Sequence, residues 1–261
     1  MNLEWAIFIT AFLVGLLAGS FLNVVIYRGP QMWNLIDGHD RGNLVFPRSS
    51  CPSCGAIINP LHLVPVAGFL WLRGRCGACK DPISFRYPVV ELLGGLAVLV
   101  AVVLFGSTLP AGLAALFFLF LIALAAIDYE TGYLPDALTL PLIMIGIAAN
   151  GFELFVPFAD AIIGAFVGYL VFRAIDFAFL KLRGVEGLGQ GDAKLLAAIG
   201  AWLGWVALAP TVFIAAILGL VAVGIMRLKG QAVSGDMAIA FGPALAGAAA
   251  IMMIASGLIS L

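Results

Sequence analysis

Long apolar runs are the feature of this sequence that most restricts how the chain can fold. Many of them approach the roughly 20 residues that a helix needs to cross the hydrocarbon core of a bilayer. Backbone polar groups must be satisfied internally in lipid, so these runs predict helices. The predicted spans cover residues 5–27, 89–105, 111–127, 138–155, 161–180, 195–208, 209–226 and 237–261. We therefore expect an all-α polytopic membrane protein with about eight transmembrane helices.

Composition agrees with a membrane protein and argues against a soluble domain and a nucleic-acid-binding protein. Of the 261 residues, 63% are hydrophobic and 10% are charged, which is far more apolar than a soluble domain. The net charge of -1 offers no basic patch for phosphates, so lipid is an expected partner and nucleic acid is not. The first basic residue is Arg28, so the N-terminal run lacks the positive segment of a secretory signal and is interpreted as a retained span. The 31 glycines are interpreted as helix-packing residues.

The distribution of positive charge predicts the orientation of the helices. The runs at 138–155 and 195–208 are the weakest, but keeping both places all 13 Lys and Arg residues on one side. Positive charge stays cytoplasmic during insertion, so that side is predicted to be the cytoplasm and both termini to lie outside it. The predicted organisation is a first helix over residues 1–27, a cytoplasmic loop domain over 28–88 and a seven-helix membrane domain over 89–261.

The four cysteines predict a metal site in the cytoplasmic loop. They form two pairs, Cys51-Pro-Ser-Cys54 and Cys76-Gly-Ala-Cys79, separated by 21 residues. Four thiolates in this pattern suit one tetrahedral Zn²⁺, and a filled coordination sphere indicates a structural rather than a catalytic metal. Two disulfides are the alternative, which a cytoplasmic location disfavours because thiols stay reduced there. His62, between the pairs, is interpreted as a packing or solvated side chain.

Two aspartates stand at the predicted cytoplasmic ends of spans that are far apart in the sequence. Asp128 follows the third apolar run, and Asp192 closes a glycine-rich stretch that includes Gly189 and Gly191. Acids at membrane depth are costly and usually mark function. At close range the two cannot both ionise, so one can act as a base on water while the other donates a proton. An aspartyl protease is one hypothesis, and a pair of solvated interfacial acids is the alternative.

Other acids compete with these two on chemistry alone. Glu130 and Asp136 lie in the loop after the third run. Asp136 is interpreted as the N-cap of the fourth span because an apolar run follows it. Asp176, three residues after Arg173, predicts a local ion pair on one helix face. Asp236 is interpreted as a cap of the last span.

Two other classes of function remain open from the residues. One is an ion-coupled transporter that uses Asp128 and Asp192 as a proton relay. Transporters usually show paired broken helices in two related halves, and this sequence shows no such symmetry. The other is a scaffold whose zinc loop docks a partner, which would not need the two aspartates.

Together these residues resemble the type IV prepilin peptidases, which are bifunctional leader peptidases and N-methyltransferases of the GxGD aspartyl protease kind. The resemblance covers nearly the whole chain. Its motifs are Gly19-Ser-Phe-Leu-Asn-Val-Val-Ile-Tyr-Arg28, the two cysteine pairs, Arg86-Tyr-Pro-Val-Val-Glu91, Ile127-Asp128, Leu134-Pro-Asp136, Leu138-Thr-Leu-Pro141, Gly189-Gln-Gly-Asp192, Lys194-Leu-Leu196 and Phe241-Gly-Pro243.

The resemblance implies that Asp128 and Asp192 are the catalytic pair. It also implies motif or substrate-site roles for Gly189, Gly191, Asp136 and Glu130. The implied activity removes the short basic leader of type IV prepilins or type II secretion pseudopilins on the cytoplasmic side of the bacterial inner (cytoplasmic) membrane. The enzyme then methylates the new N-terminal amine with S-adenosylmethionine. No residue is assigned to that cofactor, and Glu91 is either a candidate or an ordinary acid at a helix start.

Overall fold

The computed structural model describes residues 3–37, 41–183, 189–229 and 240–259. Over these residues the secondary structure is helical, apart from isolated β-bridges in the cysteine loop. The chain divides into two compact units, Met1–Ala123 and Leu124–Leu261. The helices are α1 (Leu3–Met32), α2 (Ala67–Trp71), α3 (Arg86–Phe105), α4 (Leu109–Thr131), α5 (Asp136–Asn150), α6 (Phe158–Arg183), α7 (Gln190–Leu203), α8 (Leu208–Leu228) and α9 (Gly242–Ile259).

The predicted fold class is confirmed, since each predicted span overlaps a helix. Five helices in the described part of the chain are long and apolar enough to cross a bilayer, namely α1, α3, α4, α6 and α8. α5 and α9 are shorter apolar helices, and α7 has 14 residues. The protein is therefore a multi-pass, all-helical membrane protein. The total of eight spans stays a prediction.

The first helix continues past its predicted end at Tyr27, to Met32. Arg28 is 7% exposed even though it is charged. Its guanidinium donates to the carbonyl oxygens of Asn43 at 2.6 Å and Pro47 at 2.8 Å. Because the loop satisfies this buried charge, the helix does not need to end where the positive charge begins.

Close backbone contact joins α1 to α3 within the first unit. A Cβ added to Gly94 would lie 2.6 Å from the carbonyl oxygen of Gly15, and one added to Gly19 would lie 2.7 Å from the Cα of Glu91. No real side chain fits at such distances, so only glycine allows the two helices to approach this closely. The interpretation of glycines as helix-packing residues is confirmed at these positions.

The second unit is built around α7. From Asp192 to Leu203 the helix is buried at nearly every position, and it packs against α5, α6 and α9. Glycines again allow the approach, since a Cβ on Gly168 would lie 2.7 Å from the carbonyl oxygen of Leu196. This span is one of the two weakest in the sequence because α7 is only 14 residues long.

Two buried polar side chains fix α5 to α7. Asn150 donates to the carbonyl oxygens of Ala201 at 2.8 Å and Trp202 at 3.2 Å. The side-chain carbonyl oxygen of Asn150 accepts from two backbone N–H groups in the turn after α5, each at 3.1 Å. The Trp202 indole N–H donates to the carbonyl oxygen of Leu142 at 2.8 Å. Asn150, which weakens the fourth span in the sequence, is therefore a fully satisfied structural residue.

We predict that Gly94→Leu destabilises the first unit because its side chain cannot fit against Gly15. Overpacking of this kind typically costs about 1–3 kcal/mol, and a contact with backbone falls at the upper end. The thermal unfolding midpoint in detergent should fall by several degrees. Gly112→Leu is the matched control, since no atom lies within 4 Å of an added Cβ there. Equal midpoints for the two variants would contradict the close packing of α1 and α3.

Candidate active site and metal site

Asp128 lies near the C-terminal end of α4 and is 5% exposed. One of its carboxylate oxygens, Oδ2, accepts a hydrogen bond of 2.9 Å from the backbone N–H of Gly242. Gly242 is the first residue of α9, where backbone N–H groups have no partner within the helix. The start of α9 therefore supplies a donor that fixes the orientation of this carboxylate.

Glycine is required at position 242 for this arrangement. A Cβ added there would lie 2.5 Å from Oδ2 of Asp128 and 2.9 Å from its Cγ. The neighbouring Phe241 packs its ring against that of Phe172, with 6.3 Å between centroids. Sequence reasoning assigned no role to Gly242, although the Phe241-Gly-Pro243 motif was the signal that could have indicated one.

Asp192 lies in the first turn of α7 and is 9% exposed. Its carboxylate accepts from the backbone N–H of Gly189, and it lies within range of electrostatic repulsion from the carboxylate of Asp128. The second unit thus brings together two acidic side chains that are far apart in the sequence. Each of them is buried, and each is held by a backbone N–H at the start of a helix.

The two glycines before Asp192 have different surroundings. A Cβ on Gly191 would lie 2.7 Å from the Cβ of Leu134, so this glycine lets the start of α7 pack against the segment before α5. A Cβ on Gly189 would meet only Oδ2 of Asp192, at 3.3 Å. The described part of the glycine-rich stretch begins at Gly189, and residues 187–188 lie outside the described residues.

The prediction that Asp136 is the N-cap of its helix is wrong. Pro135 occupies the N-cap position with an extended backbone, and no side chain caps the helix. Asp136 is instead the first helical residue, and its Oδ1 accepts from Nζ of Lys194 in an ion pair. Proline already supplies the extended conformation that a cap requires, so the carboxylate is available to pair with α7.

The remaining acids are placed as follows. Glu130 is exposed near the end of α4. The predicted ion pair between Arg173 and Asp176 is confirmed at 3.0 Å. Asp236 lies outside the described residues, as do the first residues of the predicted last span.

The four cysteines form one cluster in the first unit. The sulfur atoms of Cys51, Cys54, Cys76 and Cys79 all lie within 4.8 Å of one another. All four are free thiols, which does not support the disulfide alternative. Sγ of Cys51 and Sγ of Cys79 are 3.8 Å apart. Tetrahedral Zn²⁺ with bonds of about 2.3 Å requires about this separation, so the sulfur atoms fit that metal.

The two cysteine pairs have the same local geometry. In each pair the first cysteine donates its N–H to the carbonyl oxygen five residues later, and accepts from the N–H four residues later. The residue after each second cysteine, Gly55 or Lys80, has a positive φ of 71° or 65°. In the second pair, backbone N–H groups point at the sulfur atoms of Cys76 and Cys79. His62 stays outside the cluster and packs against the Trp71 ring at 6.5 Å, which confirms its interpretation as a packing residue.

The thiols influence one another's ionisation. The backbone N–H groups of Cys79 and then of Ala78 lower the pKa of Cys76 to about 6. For Cys79, the N–H of Asp81 lowers the pKa, but desolvation and the sulfurs of the other three cysteines outweigh it and raise the value to about 12. The thiolate of Cys76 forms readily, whereas that of Cys79 requires a cation beside it. A metal supplies that cation.

The comparisons with known proteins agree with this fold and these sites. Residues 13–105 match the Bacterial Peptidase A24 N-terminal domain, and residues 115–224 match the Type IV leader peptidase family. Among curated relatives, the "Prepilin leader peptidase/N-methyltransferase" of Burkholderia pseudomallei (strain 1026b) is 43% identical, over 90% of this chain and 81% of the relative. Proteins of the same name from Aeromonas hydrophila and Klebsiella pneumoniae are 44% and 45% identical, covering 94% and 81% of this chain and 89% and 90% of theirs. No solved structure matches the chain.

Fold and site together define a multi-pass membrane protein with a buried aspartate pair and a four-cysteine cluster. The chain belongs to the type IV leader peptidase family, as its family matches and its relatives of more than 40% identity show. The resemblance inferred from the sequence motifs is thereby confirmed.

We predict that Gly242→Ala lowers peptide-bond cleavage by about a hundredfold, because the added methyl group displaces the carboxylate of Asp128 from its N–H donor. The turnover number on a leader-bearing peptide, measured in detergent or nanodiscs, checks this. Gly247→Ala on the same helix is the control, since its added Cβ would meet only a leucine side chain at 3.4 Å. Full activity in Gly242→Ala would show that this donor is unimportant.

We predict that the purified protein carries about one Zn²⁺ per chain and that Cys76→Ser loses most of it. A serine hydroxyl does not replace a thiolate ligand at neutral pH, so affinity collapses. Elemental analysis after dialysis measures the metal directly. His62→Ala is the control and should keep its zinc. Equal zinc loss in both variants would contradict the assignment of the four cysteines as the complete ligand set.

Proposed function

We propose that this protein is a prepilin leader peptidase and N-methyltransferase, with Asp128 and Asp192 as its catalytic pair. The observation that carries the proposal is the proximity of two buried carboxylates from α4 and α7, far apart in sequence. The relatives that share more than 40% of its residues bear the name of that activity. The transporter alternative finds no support in these relationships.

The two carboxylates supply the groups that peptide hydrolysis needs. The ionised member takes a proton from a water molecule, whose oxygen then bonds to the scissile carbonyl carbon. The protonated member donates a hydrogen bond to the carbonyl oxygen and so stabilises the charge that develops there. As the carbon–nitrogen bond breaks, a proton passes to the departing amine. Gly242 and Gly189 hold the pair in place through their N–H groups.

The departing amine is the substrate for methylation. S-adenosylmethionine supplies the methyl group, and the amine of the processed pilin accepts it. We assign the region over residues 28–88, which is ordered around a structural Zn²⁺, to this half of the activity. The membrane domain over residues 89–261 is assigned to cleavage. Prepilins or pseudopilins are the proposed partners.

The proposed location is the bacterial inner membrane, with the cysteine loop in the cytoplasm and both termini outside it. The supporting observation is the charge pattern of the sequence, in which basic residues fall on one side when all eight spans are kept. Glu130 and Asp136 add acidity beside Asp128, which favours approach of a basic leader. Asp136 is paired with Lys194, and Glu130 is exposed near the end of α4.

We predict that Asp128→Asn and Asp192→Asn each lower cleavage of a prepilin peptide by about a thousandfold, because an amide can neither activate water nor donate an acidic proton. Each variant should still methylate a peptide that is already processed. Product masses after incubation with the peptide and S-adenosylmethionine report both reactions.

Asp160→Asn is the matched control for these variants. Oδ1 of Asp160 accepts from the indole N–H of Trp205 at 3.2 Å, and an asparagine carbonyl can keep that bond. This variant should cleave at the normal rate. Cleavage that persists in Asp128→Asn or Asp192→Asn would refute the aspartyl protease assignment.

A further inference from the structure

The packed surface between α1 and α3 buries two polar side chains that the cleavage reaction does not use. Glu91 on α3 is 8% exposed, and Asn23 on α1 is 3% exposed. Both belong to the first unit, which also carries the cysteine loop. Buried carboxylates are costly unless a partner compensates their charge, so the partners of Glu91 decide what this position does.

The contacts of Glu91 come from neutral donors. Its Oε2 accepts from the backbone N–H of Val66 at 2.7 Å, and the Ser20 hydroxyl is a second donor. Among the described residues no basic side chain forms an ion pair with it. Arg28, the buried cation of α1, donates to two loop carbonyls instead. The carboxyl group of Glu91 therefore has no cationic partner in the described part of the chain.

Asn23 adds an unused acceptor to the same surface. Its Nδ2 donates to the carbonyl oxygen of Tyr87 at 3.1 Å, while its buried Oδ1 has no partner among the described residues. Tyr87 precedes Glu91 by four residues on α3, so Asn23 contacts α3 about one helical turn before Glu91. The position thus offers a carboxylate and an amide carbonyl, both of them acceptors.

The loop is also held in an unusual conformation at this point. Val66 has φ 60° and ψ -48°, a region that a β-branched residue rarely adopts. Its N–H is the group that binds Glu91. Strained residues of this kind are concentrated at functional sites because the surrounding structure must enforce them. The contact therefore ties a strained part of the cysteine loop to the buried carboxylate.

We propose that Glu91 and Asn23 bind a cationic amino group during methyl transfer. The inference rests on the proposed function and assigns binding residues to its second half. A primary ammonium group has three N–H donors and a positive charge, which matches the unbalanced carboxylate and the unused amide oxygen. Two molecules in the reaction carry such a group: S-adenosylmethionine, through its amino-acid end, and the processed pilin, through its N-terminus.

The test is the Glu91→Gln variant of the full-length protein. Glutamine keeps a carbonyl oxygen for the Val66 N–H but removes the negative charge, so it separates charge from structural anchoring. We expect zinc content and cleavage to be retained. The kcat/KM for methylation should fall about tenfold or more. Glu4→Gln, at an exposed position on α1, is the control and should methylate normally.

Two measurements identify the source of the amino group. Equilibrium dialysis with labelled S-adenosylmethionine gives the affinity for the donor without any reaction. The KM for a processed pilin peptide reports how well the protein binds the N-terminal amine of the pilin. Weaker donor binding in Glu91→Gln assigns the position to the donor, and a raised peptide KM with normal donor binding assigns it to the pilin. Unchanged values in both measurements overturn the proposal.

A second variant keeps the inference testable if Glu91→Gln loses zinc or cleavage through misfolding. Ser20→Ala removes only one hydrogen bond to the carboxylate. It should raise severalfold either the dissociation constant of S-adenosylmethionine or the KM of the processed pilin peptide, whichever the Glu91 site serves. Unchanged constants there would overturn the proposal. If the unaltered protein neither cleaves nor methylates, the proposed function itself is contradicted. If the unaltered protein does both and Glu91→Gln methylates equally well, only this inference is contradicted.

Discussion

The second unit depends on the burial of one short helix. α7 packs on several sides against other helices, and glycines at the contacts let the backbones approach. Asn150 and the indole of Trp202 then fix α5 to α7 through buried hydrogen bonds. These contacts matter because Asp192 lies in the first turn of α7. A helix held this firmly keeps a carboxylate in a defined position at low exposure, which is what acid–base chemistry on a peptide requires.

Backbone N–H groups at the starts of two helices bind the carboxylates of the aspartate pair. The first N–H groups of a helix have no partner within it, and here Gly242 at the start of α9 donates to Asp128. Gly189, just before α7, donates to Asp192. Within the described ranges neither carboxylate forms an ion pair, so the contacts that orient them come from backbone N–H groups. This geometry explains why position 242 is a glycine, because the Cβ of any other residue would displace the carboxylate of Asp128.

Much of this arrangement could be predicted from the sequence. The lengths of the apolar runs predicted the helices, and the cysteine spacing predicted the cluster. The cost of acids at membrane depth made Asp128 and Asp192 candidates, and the family resemblance placed them above Glu130 and Asp136. Three other contacts between distant segments could not be predicted. The pairing of Asp136 with Lys194, the N–H of Gly242 and the satisfied charge of Arg28 each depend on a partner at least 15 residues away. Local patterns misplaced Asp136 as a cap and ended α1 too early for that reason.

The central claim is that the side chains of Asp128 and Asp192 meet, and disulfide trapping tests it most directly. The double variant Asp128→Cys with Asp192→Cys is oxidised in membranes, and the linked peptides are identified by mass. Val156→Cys with Gly204→Cys is the positive control, since a Cβ on Gly204 would lie 3.7 Å from the Cβ of Val156, a separation that suits a disulfide. A disulfide requires α-carbons within about 7 Å. The account predicts a link between positions 128 and 192, and its absence while the control pair forms would contradict a shared catalytic site.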